Sequence, residues 1–383
     1  MVLTLKLITA EEKDIHVEID TKLGRICGRK EIVDGKEANI FLGIPYAEPP
    51  LADLRFKKPI PIGPWKYPLK AFQWPNPCYQ INAMERFFIN PNVSEDCLYL
   101  NIFAPKNNSN NLLPVIIWIH GGSFVQGTSS VKTTIPTVLS TRGNVIVVAI
   151  NYRLNTFGFF YAANDDAPGN IGIYDQIMAL QWVKDNIESF GGDPNRVTLM
   201  GQSVGSMSVD IHLLSPLSRD LFNNAIMLSG SLLSHIWVDD NKKAYRAWLE
   251  ASKIVGCGNG FNFTQNSLQC LRNLSAEKLL EMSYFKNVET YDPIYEFRSM
   301  VIFGDELLPK NPFTMLNDGN YKKGFSLLSG TTDDEGSQRL AEYDPITYNS
   351  SRKFTYDEAN DQMQLIVSQT KSNITINSND VLK

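Results

Sequence analysis

Long hydrophobic runs are missing from this 383-residue chain. Its longest apolar stretches, such as 114–119 and 145–150, have the length of a β-strand, whereas a membrane-spanning helix needs roughly 20 apolar residues. Dense basic runs are also scarce, and the net charge is −5, with 36 Lys and Arg against 41 Asp and Glu. The sequence therefore predicts no membrane span and argues against a nucleic-acid partner.

Internal repeats, low-complexity tracts and linker-like segments are absent as well. Their absence excludes a repeat architecture and leaves no boundary at which to divide the chain. Because 43% of the residues are apolar, the chain is able to bury a large core. We therefore expect a single domain over residues 1–383.

Cysteine is rare and occurs in an odd number, with five residues: Cys27, Cys78, Cys97, Cys257 and Cys270. At least one thiol is then unpaired in a monomer, and spacing alone does not assign the pairs. Sequons for N-linked glycosylation occur at Asn92, Asn107, Asn262, Asn273, Asn349 and Asn373. They favour an extracellular or secretory-pathway protein, although Lys6 interrupts the first ten residues, which make a poor signal peptide. No pattern predicts a cofactor or a metal.

Short, fully apolar segments recur along the chain, at 114–119, 145–150, 196–200, 224–228 and 325–329. This pattern is typical of parallel strands that are covered on both faces. Between the second and third of them, apolar residues from Ile173 to Ile187 are spaced by three and four, which predicts a crossover helix. The sequence thus predicts an α/β fold with a mostly parallel central sheet and helices on both faces.

Other segments do not have this pattern of apolar strands and crossover helices. Residues 14–44 alternate apolar and polar side chains between glycines, which predicts a small N-terminal antiparallel sheet of accessory character. Residues 45–97 are rich in proline and aromatic residues and should be mostly irregular. Residues 239–283 and 356–370 have helical patterns.

The most informative local motif is Gly201-Gln-Ser-Val-Gly205. It lies between the predicted strand 196–200 and a helix-like run at 206–214, where small flanking residues permit a sharp turn that lifts the serine hydroxyl out of the sheet. Ser203 is therefore a candidate nucleophile. The alternative is an ordinary strand-to-helix turn that happens to contain a serine.

Further blocks accompany this turn in a fixed order. They are Phe41–Pro50, Ser94–Asn101, His120–Phe124, Asn151–Arg153, Gly169–Asn170 with Asp175–Gln176, Phe190–Pro194 and Asp334–Gly336. On these blocks the chain resembles the type-B carboxylesterase and cholinesterase family of the α/β-hydrolases. Members usually run well past 500 residues, so the chain resembles their first two thirds.

The resemblance implies a carboxylic ester hydrolase that acts on a small-molecule ester through an acyl-enzyme. Ser203 matches the family's nucleophile and Glu335 its triad acid. Gly122, Ser123 and Val204 match the residues whose backbone N–H groups bind the oxyanion of the tetrahedral intermediate.

The general base is the missing part of this scheme. In α/β-hydrolases the order along the chain is serine, acid, histidine, and none of the four histidines follows Glu335. His120 belongs to the oxyanion loop and is expected to be structural, His212 is expected to be packed in the fold, and His16 and His235 match no motif position.

Two explanations remain open for this absence. In the first, the sequence is incomplete at its C-terminus and lacks the last core strand and the catalytic histidine, so the 383-residue chain itself is nearly inactive. In the second, the chain is a natural short product that serves as a catalytically inactive, esterase-like binding or adhesion protein. The intact set of other catalytic parts favours the first.

The resemblance also implies structural pairs. Cys78 with Cys97 and Cys257 with Cys270 match family disulfides, which leaves Cys27 as a thiol that is expected to be buried rather than reactive. The pairs Arg55 with Glu95 and Arg153 with Asp175 match family salt bridges.

Three departures bear on the substrate. The segment between Cys78 and Cys97 contains no tryptophan, the residue with which cholinesterases hold a quaternary ammonium. Gln202 replaces the usual glutamate before the serine, which removes a negative charge. Both changes argue against a choline ester, while the branched side chain of Val204, in place of alanine, is expected to crowd the acyl site or restrict the turn.

Overall fold

The computed structural model describes residues 16–81, 85–109, 111–234, 238–283, 301–333 and 335. Six strands come first, and from residue 137 onward α-helices and strands are interspersed, as predicted for an α/β fold. The strands are β1 (His16–Thr21), β2 (Gly24–Val33), β3 (Lys36–Pro45), β4 (Leu69–Lys70), β5 (Tyr99–Pro105), β6 (Leu113–Ile119), β7 (Ile146–Ile150), β8 (Tyr161–Asn164), β9 (Ala167–Pro168), β10 (Gly192–Gln202), β11 (Asn224–Leu228), β12 (Val238–Asp240), β13 (Val301–Phe303) and β14 (Leu327–Gly330).

One large mixed sheet contains ten of these strands. Nine of them follow the order β1-β2-β3-β5-β7-β6-β10-β11-β14, and β4 pairs with β2. From β7 to β14 all neighbours are parallel. Every residue of β7 is buried, as are the alternate residues Val115, Ile117 and Ile119 of β6. The predicted parallel strands are therefore present, but the expected burial on both faces is complete only in β7. Strands β6 and β11 alternate buried and half-buried residues, and all four residues of β14 are exposed.

The other half of the sheet is antiparallel, except that the two-residue strand β4 pairs with β2 in parallel. The predicted N-terminal meander is confirmed as β1, β2 and β3, but it is joined to the main sheet rather than set apart as an accessory one, because β3 pairs with β5. Strand β5 was not predicted from the sequence. This strand also pairs with β7 and so connects the two halves.

Helices cover the sheet and build a second, smaller core. They are α1 (Thr137–Gly143), α2 (Asn155–Phe159), α3 (Ile171–Asn186), α4 (Val204–Leu214), α5 (Asn241–Ile254), α6 (Gln265–Asn273), α7 (Ala276–Glu281) and α8 (Pro312–Asn317). Helix α3 is the predicted crossover helix, and α5 to α7 confirm the helical pattern of 239–283. The helical prediction for 356–370 lies outside the described residues.

Both predicted disulfides are present, Cys78–Cys97 and Cys257–Cys270. Cys27 is unpaired and only half-buried. Its partial burial and the nearby carboxylate of Glu18 raise the pKa of the Cys27 thiol, which makes it a poor nucleophile.

The two predicted salt bridges are also present. Arg55 and Glu95 form a two-bond pair that is mostly buried, and Arg153 pairs with Asp175 in the interior. Within the described ranges, no helix is long and apolar enough to cross a membrane. In the same ranges, no group of three or more His, Cys, Asp or Glu side chains is arranged to hold a metal ion.

Candidate active site

Ser203 occupies a tight turn between β10 and α4. Its backbone has φ 56° and ψ −126°, a combination that non-glycine residues rarely adopt and that costs on the order of 1–3 kcal/mol. The Ser203 N–H donates to the carbonyl of Leu228 at 2.9 Å, and the Ser203 carbonyl accepts from the N–H of Met207 at 3.0 Å. The Ser203 side chain makes no capping hydrogen bond to its own helix. The predicted sharp turn is therefore present.

Glycines around this turn permit very close backbone packing. A Cβ atom on Gly201 would lie 2.1 Å from the carbonyl oxygen of Gly205, and one on Gly205 would lie 2.2 Å from that of Ile119. A Cβ atom on Gly230 would lie 2.2 Å from the carbonyl oxygen of Ser203. No side chain fits at these three positions, so each glycine is required by contact rather than by flexibility.

The loop after β6 lies directly against the serine. A Cβ atom on Gly121 would lie 3.1 Å from the Cβ of Ser203. Gly122 and Ser123 both have positive φ, at 115° and 58°. Among the described residues, no hydrogen bond is donated by the backbone N–H of Gly122 or Ser123. The structure thus brings the predicted oxyanion loop and Ser203 together.

Val204 is the first residue of α4, and its N–H is one of the amides that a helix leaves unpaired at its N-terminus. The Val204 side chain is fully buried in the main core. Its branched carbon atoms therefore pack away from solvent and belong to the interior of the fold.

Glu335 lies at the same edge of the sheet, beyond the end of β14. Its Oε1 accepts the N–H of Thr332 at 2.9 Å. The hydroxyl of Ser229 donates to the same carboxylate, and these hydrogen bonds lower the pKa of Glu335. Ser229 directly follows Leu228, the residue whose carbonyl holds the Ser203 N–H. One short stretch of backbone therefore connects the two predicted catalytic residues.

Ser229 and Gly230 were not predicted from the sequence. Their only signal was their position after the apolar strand 224–228, at the edge where the other site residues emerge. In an open parallel sheet, functional groups gather beyond the carboxyl ends of the strands, so this position was the one clue available.

None of the described histidines is placed as a base. His120 is buried, stacks on Tyr152 with ring centroids 4.4 Å apart, and has Nδ1 2.9 Å from the Gly121 carbonyl. His212 is fully buried, with Nδ1 2.9 Å from Ser218 Oγ and Nε2 2.9 Å from Gln176 Oε1. The expectation that both are packed in the fold is confirmed.

The other two histidines are His16 and His235. His16 is exposed on the outermost strand β1. His235 lies outside the described residues.

Burial of the two packed imidazoles predicts acid sensitivity. It lowers the pKa of His120 to about 4 and that of His212 to about 3, from an ordinary 6.5. As the pH falls below about 6.5, these two imidazoles take up protons in the unfolded chain but stay neutral in the folded one. Their effect on the free energy of unfolding is therefore absent above pH 6.5, and below it the free energy of unfolding decreases. The expected slope is about 1.4 kcal/mol per pH unit for each imidazole.

Urea unfolding at a series of pH values between about 7 and 5 measures this slope. His212→Asn should reduce it, while His16→Asn, a change on the exposed edge strand, should leave it unaltered. A free energy of unfolding that stays constant across this range would contradict the prediction.

The chain is similar to several known proteins. A family model described as "Carboxylesterase family" matches residues 15–382. The chain is similar to an acetylcholinesterase of Leptinotarsa decemlineata, with 35% identity over 368 residues that cover 88% of this chain and 57% of the relative. For a cholinesterase of Mus musculus the identity is 39% over 331 residues, which cover 84% and 54%.

A juvenile hormone esterase of Tribolium castaneum is also similar, with 39% identity over 336 residues that cover 85% of this chain and 56% of the relative. The chain spans about half the length of the curated relatives it matches.

Proposed function

The chain belongs to the carboxylesterase family, and from this premise we propose that it is a carboxylic ester hydrolase with Ser203 as its nucleophile. The observation that carries the proposal is the strained turn at Ser203, whose side chain lies beside the loop at Gly121. A residue held in a rarely populated conformation, next to amide donors that bond to none of the described residues, is a strong indication of function. The substrate class is a small-molecule carboxylic ester.

In the proposed reaction, Ser203 Oγ attacks the ester carbonyl carbon. The oxygen of that carbonyl becomes negatively charged and accepts hydrogen bonds from the N–H groups of Gly122, Ser123 and Val204. Such preorganised donors are each worth about a hundredfold or more in rate. Loss of the alcohol leaves an acyl-enzyme on Ser203, which water then hydrolyses. The scheme requires neither a metal nor a cofactor.

A base must take the proton from Ser203, and Glu335 is proposed to orient that base. The hydrogen bonds from Ser229 and Thr332 favour the charged form of Glu335, which is the form that stabilises an imidazolium. His120 and His212 are buried with their ring nitrogens engaged. We therefore propose that neither His120 nor His212 is this base.

The proposed substrate is not a choline ester. The segment closed by Cys78 and Cys97 offers no tryptophan for a quaternary ammonium, and Phe88 within it is buried. Gln202, which is exposed beside Ser203, is neutral where a carboxylate would attract a cation.

A fluorophosphonate reporter tests the proposed nucleophile directly, because it reacts with activated serines. We expect the protein expressed from its complete transcript to be labelled on the peptide that contains Ser203. Ser203→Ala and heat-unfolded protein, as controls, should not be labelled. Failure of the folded protein to react, or label on another serine, would contradict the proposal and favour the inactive binding protein.

A secretory-pathway location is proposed from the two disulfides, which fit an oxidising compartment. Asn262 is an exposed sequon residue on the loop closed by Cys257 and Cys270, next to Phe261, which is 86% exposed. We expect an N-linked glycan on Asn262 after expression in a eukaryotic secretory host. Glycopeptide mass spectrometry should find it, with Asn262→Gln as the control. An unmodified Asn262 in secreted protein would contradict this prediction.

A further inference from the structure

A short segment, residues 228–232, begins at the last residue of β11 and touches both proposed catalytic residues. The carbonyl of Leu228 accepts the N–H of Ser203 at 2.9 Å. Gly230 packs so closely that a Cβ atom on it would lie 2.2 Å from the carbonyl oxygen of Ser203. Ser229 donates its hydroxyl hydrogen bond to Glu335. The position of the 228–232 segment therefore sets the distance between nucleophile and acid.

Helix α4 holds this segment at two places. Near its start, Ser206 Oγ donates to the carbonyl of Gly230 at 2.6 Å. Further along, Asp210 Oδ2 accepts the hydroxyl of Ser231 at 2.9 Å and the N–H of Leu232 at 2.8 Å. Asp210 is thus the one carboxylate among the described residues that joins the nucleophile's helix to the 228–232 segment.

The environment of Asp210 makes this contact strong. Burial raises the pKa of Asp210, while the hydrogen bonds from Leu232 and Ser231 act in the opposite direction. A partly desolvated carboxylate is costly unless donors satisfy it, and hydrogen bonds to a charged acceptor are shorter and stronger than neutral ones. The carboxylate and its two donors therefore hold one another in a fixed geometry.

We infer that Asp210 is a positioning residue for the proposed hydrolysis, because it fastens the 228–232 segment against Ser203 and Glu335. The inference rests on the proposed function. Neither Ser231 nor Leu232 belongs to a strand of the large sheet. Their position is therefore fixed by the two hydrogen bonds to Asp210 rather than by hydrogen bonds between strands. Without these bonds the contacts of Ser229 and Gly230 loosen, and a displacement of about 1 Å at a reacting group costs about a hundredfold in rate.

The experiment compares three variants of the protein expressed from its complete transcript. Asp210→Ala removes both bonds, and Asp210→Asn keeps an acceptor oxygen. Asp305→Ala is the matched control, because Asp305 is also a carboxylate with a pKa raised by burial, and it accepts from the Leu308 N–H at 2.8 Å and from Asn170 at 3.1 Å. No hydrogen bond or ion pair joins Asp305 to the 228–232 segment. The readouts are kcat, KM, the rate of fluorophosphonate labelling and Tm.

We expect Asp210→Ala to lower both kcat and the labelling rate by about 10- to 100-fold while KM changes by less than about twofold. Asp210→Asn should recover activity to within about threefold of wild type, because its oxygen still accepts both hydrogen bonds. Asp305→Ala should leave kcat within about twofold of wild type even where its loss of Tm is similar.

A double-substitution test separates positioning from a general loss of stability. If Asp210 acts through the 228–232 segment, combining Asp210→Ala with Ser229→Ala should cost less in kcat than the product of the two single effects. Multiplicative effects, wild-type kcat in Asp210→Ala, or an equal loss in Asp305→Ala would overturn the inference alone. Absence of Ser203-dependent hydrolysis in the wild-type protein would overturn the proposed function and this inference together.

Discussion

Replacing Glu335 with glutamine is expected to lower kcat for ester hydrolysis by about four orders of magnitude, the effect of removing the acid from a serine triad. Glutamine keeps the size of the side chain but loses the charge that stabilises an imidazolium. It also brings an amide group to the place where Ser229 and the Thr332 N–H now donate to a carboxylate. Steady-state kinetics with 4-nitrophenyl acetate measure the loss.

Asp333→Asn is the matched control for Glu335→Gln. Asp333 lies two residues earlier in the same exposed loop, so its change alters the local charge equally without touching the proposed triad. We expect its kcat to stay within about threefold of wild type. Equal losses in both variants would show that loop charge, and not a triad acid, supports the reaction.

Replacing Asp175 with asparagine is expected to lower the free energy of unfolding by about 3–5 kcal/mol, because it leaves a buried guanidinium without its counter-charge. The side chains of Arg153 and Asp175 are 3% and 0% exposed. Arg153 Nη2 and Nε donate to the carboxylate at 2.7 and 2.8 Å, and the Arg153 N–H donates to it at 3.0 Å. Arg153 Nη1 already lacks a partner among the described residues.

Urea unfolding of Asp175→Asn measures this loss, with Asp34→Asn as the comparison. Asp34 pairs with Arg142 on the surface, where both side chains are about half exposed or more, and exposed pairs contribute about 0–1 kcal/mol. A midpoint shift for Asp175→Asn no larger than that for Asp34→Asn would contradict the assigned role of the buried pair.

Local features of this protein were readable from sequence because they depend on near neighbours. The turn at Ser203 follows from small residues placed between an apolar strand and a helix, and β6 and β7 follow from continuous apolar runs. Strand β5 was missed because it carries Asn101, a buried polar residue whose side chain accepts the Gly43 N–H and donates to Ser129 Oγ. A buried asparagine with distant partners resembles a loop residue when only its neighbours are considered.

The support of the candidate site was less predictable for the same reason. Asp210 and its donor Ser231 are 21 residues apart in the chain, and Ser229 meets Glu335 only after β11 and β14 have paired. The resemblance identified the proposed catalytic residues, but it contained no signal for the residues that surround them. Contacts of this kind depend on sheet topology, which periodicity does not encode.

The backbone conformation at Ser203 lowers the stability of the fold in order to present a reactive side chain. Glycine adopts a positive φ at little cost, whereas a serine with φ 56° and ψ −126° is held there by the packing around it. Selection for stability alone would favour glycine at this position. The serine at this position therefore costs folding free energy and supplies a reactive hydroxyl. Stabilising interactions elsewhere in the sheet compensate for that cost.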